Sequence, residues 1–126
     1  MKQLLVLAFL CFGIVAFGQT KNDVKFTDVK HTFGKIKQNV PATYTFTFKN
    51  ASTSKPLIIE SATAQCGCTT PEYPKTPVQK GKTGTIKATY NAANPGAFTK
   101  TVTVKFANIS EPVVLTIDGD VQAATK

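Results

Sequence analysis

Three stretches of the chain alternate strictly between apolar side chains and threonine or lysine. Tyr44, Phe46 and Phe48 are interleaved with Thr43, Thr45 and Thr47. Ile86, Ala88 and Tyr90 are interleaved with Thr85, Lys87 and Thr89, and Val102, Val104 and Phe106 with Thr101, Thr103 and Lys105. A period of two sends successive side chains to opposite faces of an extended strand, so each stretch predicts a strand half buried on a core. Threonine suits the outer face because its β-branch favours extended backbone while its hydroxyl stays hydrated. Pro56-Leu57-Ile58-Ile59 and Val113-Val114-Leu115-Thr116-Ile117 are more continuously apolar, which predicts central strands. A weaker extended segment, Val24 to Ile36, leads in. No stretch after Gln19 carries helical periodicity.

The breaks are chemically apt. Asn50 to Lys55 (N-A-S-T-S-K) is a polar turn, Lys80-Gly81-Lys82 a tight one, and Asn94-Pro95-Gly96 a strong turn signal. The count is about seven strands with short connections, the expectation for an all-β, immunoglobulin-like β-sandwich of antiparallel strands. The inward positions are Tyr44, Phe46, Phe48, Leu57, Ile59, Ile86, Ala88, Tyr90, Val102, Val104, Phe106, Val113, Leu115 and Ile117. No repeat, linker or second domain is visible.

Residues 1–18 read as a cleaved signal peptide. Met1-Lys2 is a short positive start, Leu4 to Ala16 is apolar, and Ala16-Phe17-Gly18 places small residues three and one before Gln19. At about 1.5 Å per residue that apolar run is too short to span a hydrocarbon core of roughly 30 Å. Residues 19–126 are then the mature sandwich domain, exported to the periplasm or secreted, with no stable membrane insertion after cleavage. Cys11 leaves with the signal, and Cys66 and Cys68 meet an oxidising compartment where disulfides persist.

The residues also follow one another in a familiar order. Phe33-Gly34-Lys35-Ile36, Phe46-Thr47-Phe48-Lys49-Asn50, Cys66-Gly67-Cys68-Thr69 and Pro71-Glu72-Tyr73-Pro74 are succeeded by Gly81-Lys82-Thr83-Gly84, Phe98-Thr99-Lys100-Thr101-Val102 and Leu115-Thr116-Ile117-Asp118-Gly119. This series resembles the exported bacterial family catalogued as domain of unknown function 1573, over nearly the whole of residues 19–126. The resemblance implies a single immunoglobulin-type sandwich and export, and it implies no reaction. Lys80 departs from the family pattern, which usually has proline before the glycine.

Cys66-Gly67-Cys68 is the one site-like constellation. A local disulfide, a pair of buried thiols, and a redox or ligand site are all open. Residues i and i+2 of an extended strand lie about 6.6–6.8 Å apart, near the upper limit for a bridge, so Gly67 is expected to supply the bend. A three-residue loop recovers only about 1.6 kcal/mol of chain entropy, which makes such a bridge a weak staple. As metal ligands, Cys66 and Cys68 are closer in sequence than zinc sites usually place them, and His31 is the sole imidazole available to join them. No cofactor is expected.

Charge and composition remove other classes. The chain of 126 residues carries 15 Lys+Arg against 7 Asp+Glu, every basic residue being lysine. The lysines are scattered, and arginine, the side chain best suited to reading guanine, is missing, so no nucleic-acid partner is expected. A single histidine cannot serve a Ser–His–Asp triad convincingly, and Gly81-Lys82-Thr83-Gly84 precedes a strand rather than a phosphate-binding helix. Pro71, Pro74 and Pro77 read as a stiff connection packed down by Tyr73 and Val78. Asn50-Ala51-Ser52 and Asn108-Ile109-Ser110 fit the glycosylation sequon but read as turns. What remains is a non-enzymatic binding or assembly module for an unknown protein partner, engaged through an edge strand. The alternative is a thiol-dependent role, redox or metal, through Cys66 and Cys68.

Overall fold

The computed structural model describes residues 23–124. Residues 1–18, with the expected signal peptide and Cys11, and the expected mature start at Gln19 lie outside them. Among the described residues the chain forms β1 (Val24–Phe26), β2 (Lys30–Lys37), β3 (Ala42–Asn50), β4 (Ile59–Ala64), β5 (Thr69–Glu72), β6 (Thr83–Tyr90), β7 (Gly96–Phe106) and β8 (Val113–Gln122). They assemble into two four-stranded sheets, β1-β3-β6-β5 and β2-β8-β7-β4. This is the strand distribution of an immunoglobulin-type sandwich.

The three alternating stretches become β3, β6 and the second half of β7, with their apolar sets facing the opposite sheet. Phe46, Phe48, Ile86 and Ala88 meet Val102, Val104, Phe106, Leu115 and Ile117 across the interior, none of them more than 1% exposed. Phe48 and Phe106 join the sheets edge to face, with ring centroids 5.5 Å apart. Tyr44 and Val113, both expected inside, are only half buried because they lie toward the ends of their strands. Val24, Val78, Ala92, Phe98, Ile109 and Val121 complete the core.

Two expectations need correction. Among the described residues there are eight strands rather than about seven, and they are not all antiparallel. The lead-in segment divides between the sheets. Thr27 still donates its N–H to the Thr47 carbonyl, whereas the Val29 carbonyl accepts from Thr116, so the chain changes sheets across Asp28. After the change β2 runs parallel to β8, the last strand. The second correction concerns Pro56 to Ile59. That run was expected to be central, as Val113 to Ile117 is, but it feeds β4 at a sheet edge. Leu57 and Ile59 point inward, Leu57 bridging Val78, while Ile58 between them is 42% exposed. Its apolar continuity comes from one exposed isoleucine, not from burial on both faces.

The turns are held locally. Asn50 is fully buried; its side-chain amide donates to the carbonyls of Lys55 and Val78 and its oxygen accepts from Ser52 N–H. That role fits the turn reading of Asn50-Ala51-Ser52. Asn108 stands in the left-handed region at φ 66°, also in a turn. Among the described residues no helix is long and apolar enough to cross a membrane.

Candidate functional site

Cys66, Gly67 and Cys68 form the passage by which the chain leaves β4 in one sheet and enters β5 in the other. Gln65 N–H still bonds the Thr101 carbonyl of β7. Three residues later the Cys68 carbonyl accepts from Asn91 N–H at the end of β6. Between these anchors Thr69 N–H donates to the Cys66 carbonyl, which bends the backbone and draws the two cysteine Cα atoms to 5.3 Å. Their sulfur atoms are in direct contact. Cys66 is half buried, and half-buried Cys68 packs against the core.

Gly67 does not have the expected role. A Cβ there would meet no heavy atom within 4 Å, and Gly67 is not among the glycines at positive φ. The bend comes from the turn hydrogen bond and the two flanking anchors, so any small residue could make it.

His31 is not brought to the cysteines. Its imidazole lies in β2, stacked on Tyr44 with ring centroids 3.7 Å apart and edge-on to Phe33 at 4.7 Å. Among the described residues no group of three or more His, Cys, Asp or Glu side chains is arranged to hold a metal ion. The Tyr44 hydroxyl donates to Asp28 at 2.7 Å, at the point where the chain changes sheets. That hydrogen bond, followed by burial and the nearby Asp28 charge, holds the Tyr44 phenol above its ordinary pKa.

The four sheet edges differ in how they treat an approaching strand. β1 has 3 residues, and β5 has 4 with Pro71 among them. β2 is longer but carries Lys30, Lys35 and Lys37 and is interrupted by a bulge at Phe33-Gly34, where Gly34 stands at φ 73°. Short length, proline, lysine and bulges are the usual protections of an edge. β4 is less guarded. Its bulge lies at its start, beside Glu60, which is tied to Lys105 at 3.6 Å; Ser61-Ala62-Thr63-Ala64 then run regularly against β7, small and uncharged.

The ladder shows which groups β4 leaves open. Gln65 donates to Thr101 directly opposite, so beyond the bulge the hydrogen-bonded pairs of this antiparallel ladder fall on Ser61, Thr63 and Gln65. The N–H and C=O of Ala62 and Ala64 therefore turn to the free edge. Their side chains lie opposite buried Val104 and Val102, yet both alanines are only half buried. The expectation of an edge-strand interaction did not specify β4. The signal was a strand of small uncharged residues, without Lys or Pro, just before Cys66.

A groove of about 540 Å³ lies between the proline-bearing connection and the outer face of β6, lined by Tyr73, Pro74, Pro77, Lys82 and Lys87 among others. Half-buried Tyr73 and buried Val78 pack this connection down as expected, and Lys75 lies 3.5 Å above the Tyr73 ring.

A family model described as "Protein of unknown function (DUF1573)" matches residues 24–121. No curated protein matches the chain. Several solved structures share the fold. A protein of unknown function from Porphyromonas gingivalis W83 is similar over 87% of this chain and 51% of its own, at 12% identity and a TM-score of 0.67. The VesB protease of Vibrio cholerae is similar over 79% of this chain and 32% of its own, at 14% identity and a TM-score of 0.63. The PapD-like domain 7 of human CEP192 is similar over 82% of this chain and 87% of its own, at 10% identity and a TM-score of 0.63. The chain thus spans about a third of the VesB structure and about half of the Porphyromonas one. At these identities the likeness is one of fold.

Proposed function

The chain belongs to the DUF1573 family of proteins of unknown function, and we propose that it is an exported, non-enzymatic binding or assembly module that holds a protein partner by adding a strand to a sheet edge. The observation that carries this reading is the contrast among the edges. Three are protected by brevity, proline, lysine or a bulge, whereas β4 presents a regular uncharged run with backbone groups turned outward. Export rests on the signal-like residues 1–18 and suits the contact between Cys66 and Cys68, which an oxidising compartment would keep as a disulfide. The one histidine of the chain is engaged with Tyr44 and Phe33, which favours a structural use of His31 over a catalytic one.

A thiol-dependent role is the second reading, favoured by the direct contact of the Cys66 and Cys68 sulfurs beside exposed Gly67. Cross-linked pull-down from the native cell envelope, with the wild type and the Cys66→Ser/Cys68→Ser variant, separates the two. The module reading expects the same partner in both. Loss of capture or function in a variant that still folds would transfer the role to the thiols.

A further inference from the structure

We infer that the β4 edge accepts an extended partner segment with large apolar side chains at alternate positions, two of them seated beside Ala62 and Ala64; this rests on the binding-module reading above.

The stereochemistry follows from the ladder. Along the regular run beyond the bulge, an incoming strand can hydrogen-bond β4 only through the outward N–H and C=O of Ala62 and Ala64, because Ser61, Thr63 and Gln65 face β7. Residues directly opposed across a ladder point their side chains to the same face of the sheet. The partner residues opposite Ala62 and Ala64 therefore point toward the interior, as those alanines do. Both alanines pack against the core without closing it, being half buried where neighbouring Ile59 is 8% exposed. A methyl group covers little of the flank of Val102 or Val104, so valine-, isoleucine- or leucine-sized side chains beside it would extend the core by a further strand. Between those positions the partner's side chains would stand beside Ser61, Thr63 and Gln65 on the hydrated face, where polar residues fit.

The occupant is a different protein rather than a second copy. Two β4 edges paired antiparallel would set small residues against small residues, and alanine would fill the flank no better than it does now. The chain's formal net charge of +8 also opposes its own association and favours a partner of neutral or acidic character.

The test uses the isotopically labelled protein and two synthetic peptides of identical composition, about eight residues long. One alternates valine with threonine and is closed by glutamate; the other has the valines grouped. The alternating peptide is expected to slow hydrogen exchange at the Ala62 and Ala64 amides and to bind at least about tenfold more tightly than the grouped one, the difference that one or two lost edge contacts make. Ala62→Pro and Ala64→Pro remove an edge donor without touching a β7 bond, and each should weaken binding by at least about tenfold while thermal unfolding confirms the fold. Exchange in the unsubstituted protein keeps the test decisive if a proline variant does not fold. Protection at β2 or β5 instead would overturn the β4 assignment and leave strand addition standing. Peptide binding at neither edge, with partner capture persisting through a sheet face, would overturn both. A β4-mediated dimer of the protein alone would overturn the choice of occupant.

Discussion

The imidazole of His31 lies flat against the phenol ring of Tyr44, with planes within 4° of parallel. His31 belongs to β2 in one sheet and Tyr44 to β3 in the other, so the pair spans the sandwich where the first strand changes sheets. The Tyr44 hydroxyl, held by Asp28, fixes the crossing residue itself. One tyrosine thus serves the two elements that make this fold's first strand discontinuous.

Alkaline titration should reveal that arrangement. The Tyr44 phenol is held above its ordinary pKa of 10.0, chiefly by its hydrogen bond to Asp28. A raised pKa stabilises the protonated folded form. The contribution is therefore complete below the unfolded value and lost as pH rises through the folded one. In denaturant melts the stability gap between wild type and Tyr44→Phe should be constant from neutral pH to about 9 and should narrow above about 10. A gap that widens with alkalinity would contradict the assignment.

Gly84 in β6 and Gly67 between the cysteines should behave oppositely. A Cβ on Gly84 would come within 2.9 Å of Phe48 Cε1 and 3.0 Å of Val78 Cγ2, both in the packed interior. Gly84→Ala is expected to cost about 1–3 kcal/mol by overpacking. Gly67→Ala meets open space and should change stability by no more than about 0.5 kcal/mol. Urea denaturation of both variants measures this, and a large loss at Gly67 would restore the glycine-dependent bend.

Much of this fold is legible in the pattern of threonine and apolar residues. The inward sets of β3, β6 and β7 were readable because each has one dry and one wet face. Pro56 to Ile59 misled because apolar continuity alone cannot distinguish burial on both faces from an exposed Ile58. The split of the first strand was hidden because Asp28, where the chain changes sheets, is held by Tyr44, distant in sequence. Asn50, the fully buried polar side chain, looked like an ordinary turn residue because its partner at Val78 lies across a long connection. At the site, Cys66-Gly67-Cys68 stood out as a constellation with its bridging left open, whereas the open character of β4 emerged only once the other three edges were placed.

Reduction should show how little the cysteine pair holds. With a bridge closing only three residues, a dithiol reductant is expected to release two titratable thiols and leave the domain folded. The stability change should be less than about 2 kcal/mol. Alkylation and mass spectrometry before and after reduction, beside paired denaturant melts, give both quantities. Free thiols in the freshly isolated protein would remove the bridge, and outright unfolding on reduction would make it a structural element.

Strand addition at β4 can be read in the native cell by site-directed photo-cross-linking. A photoreactive residue at Thr63 on β4, compared with one at Lys35 on the guarded β2, reads which edge a partner occupies. The expected result is a discrete adduct from Thr63 and none from Lys35, with the cross-linked partner peptide mapping to a segment whose apolar residues alternate. An adduct from Lys35 alone, or a Thr63 adduct to a segment without that alternation, would rule out strand addition at β4.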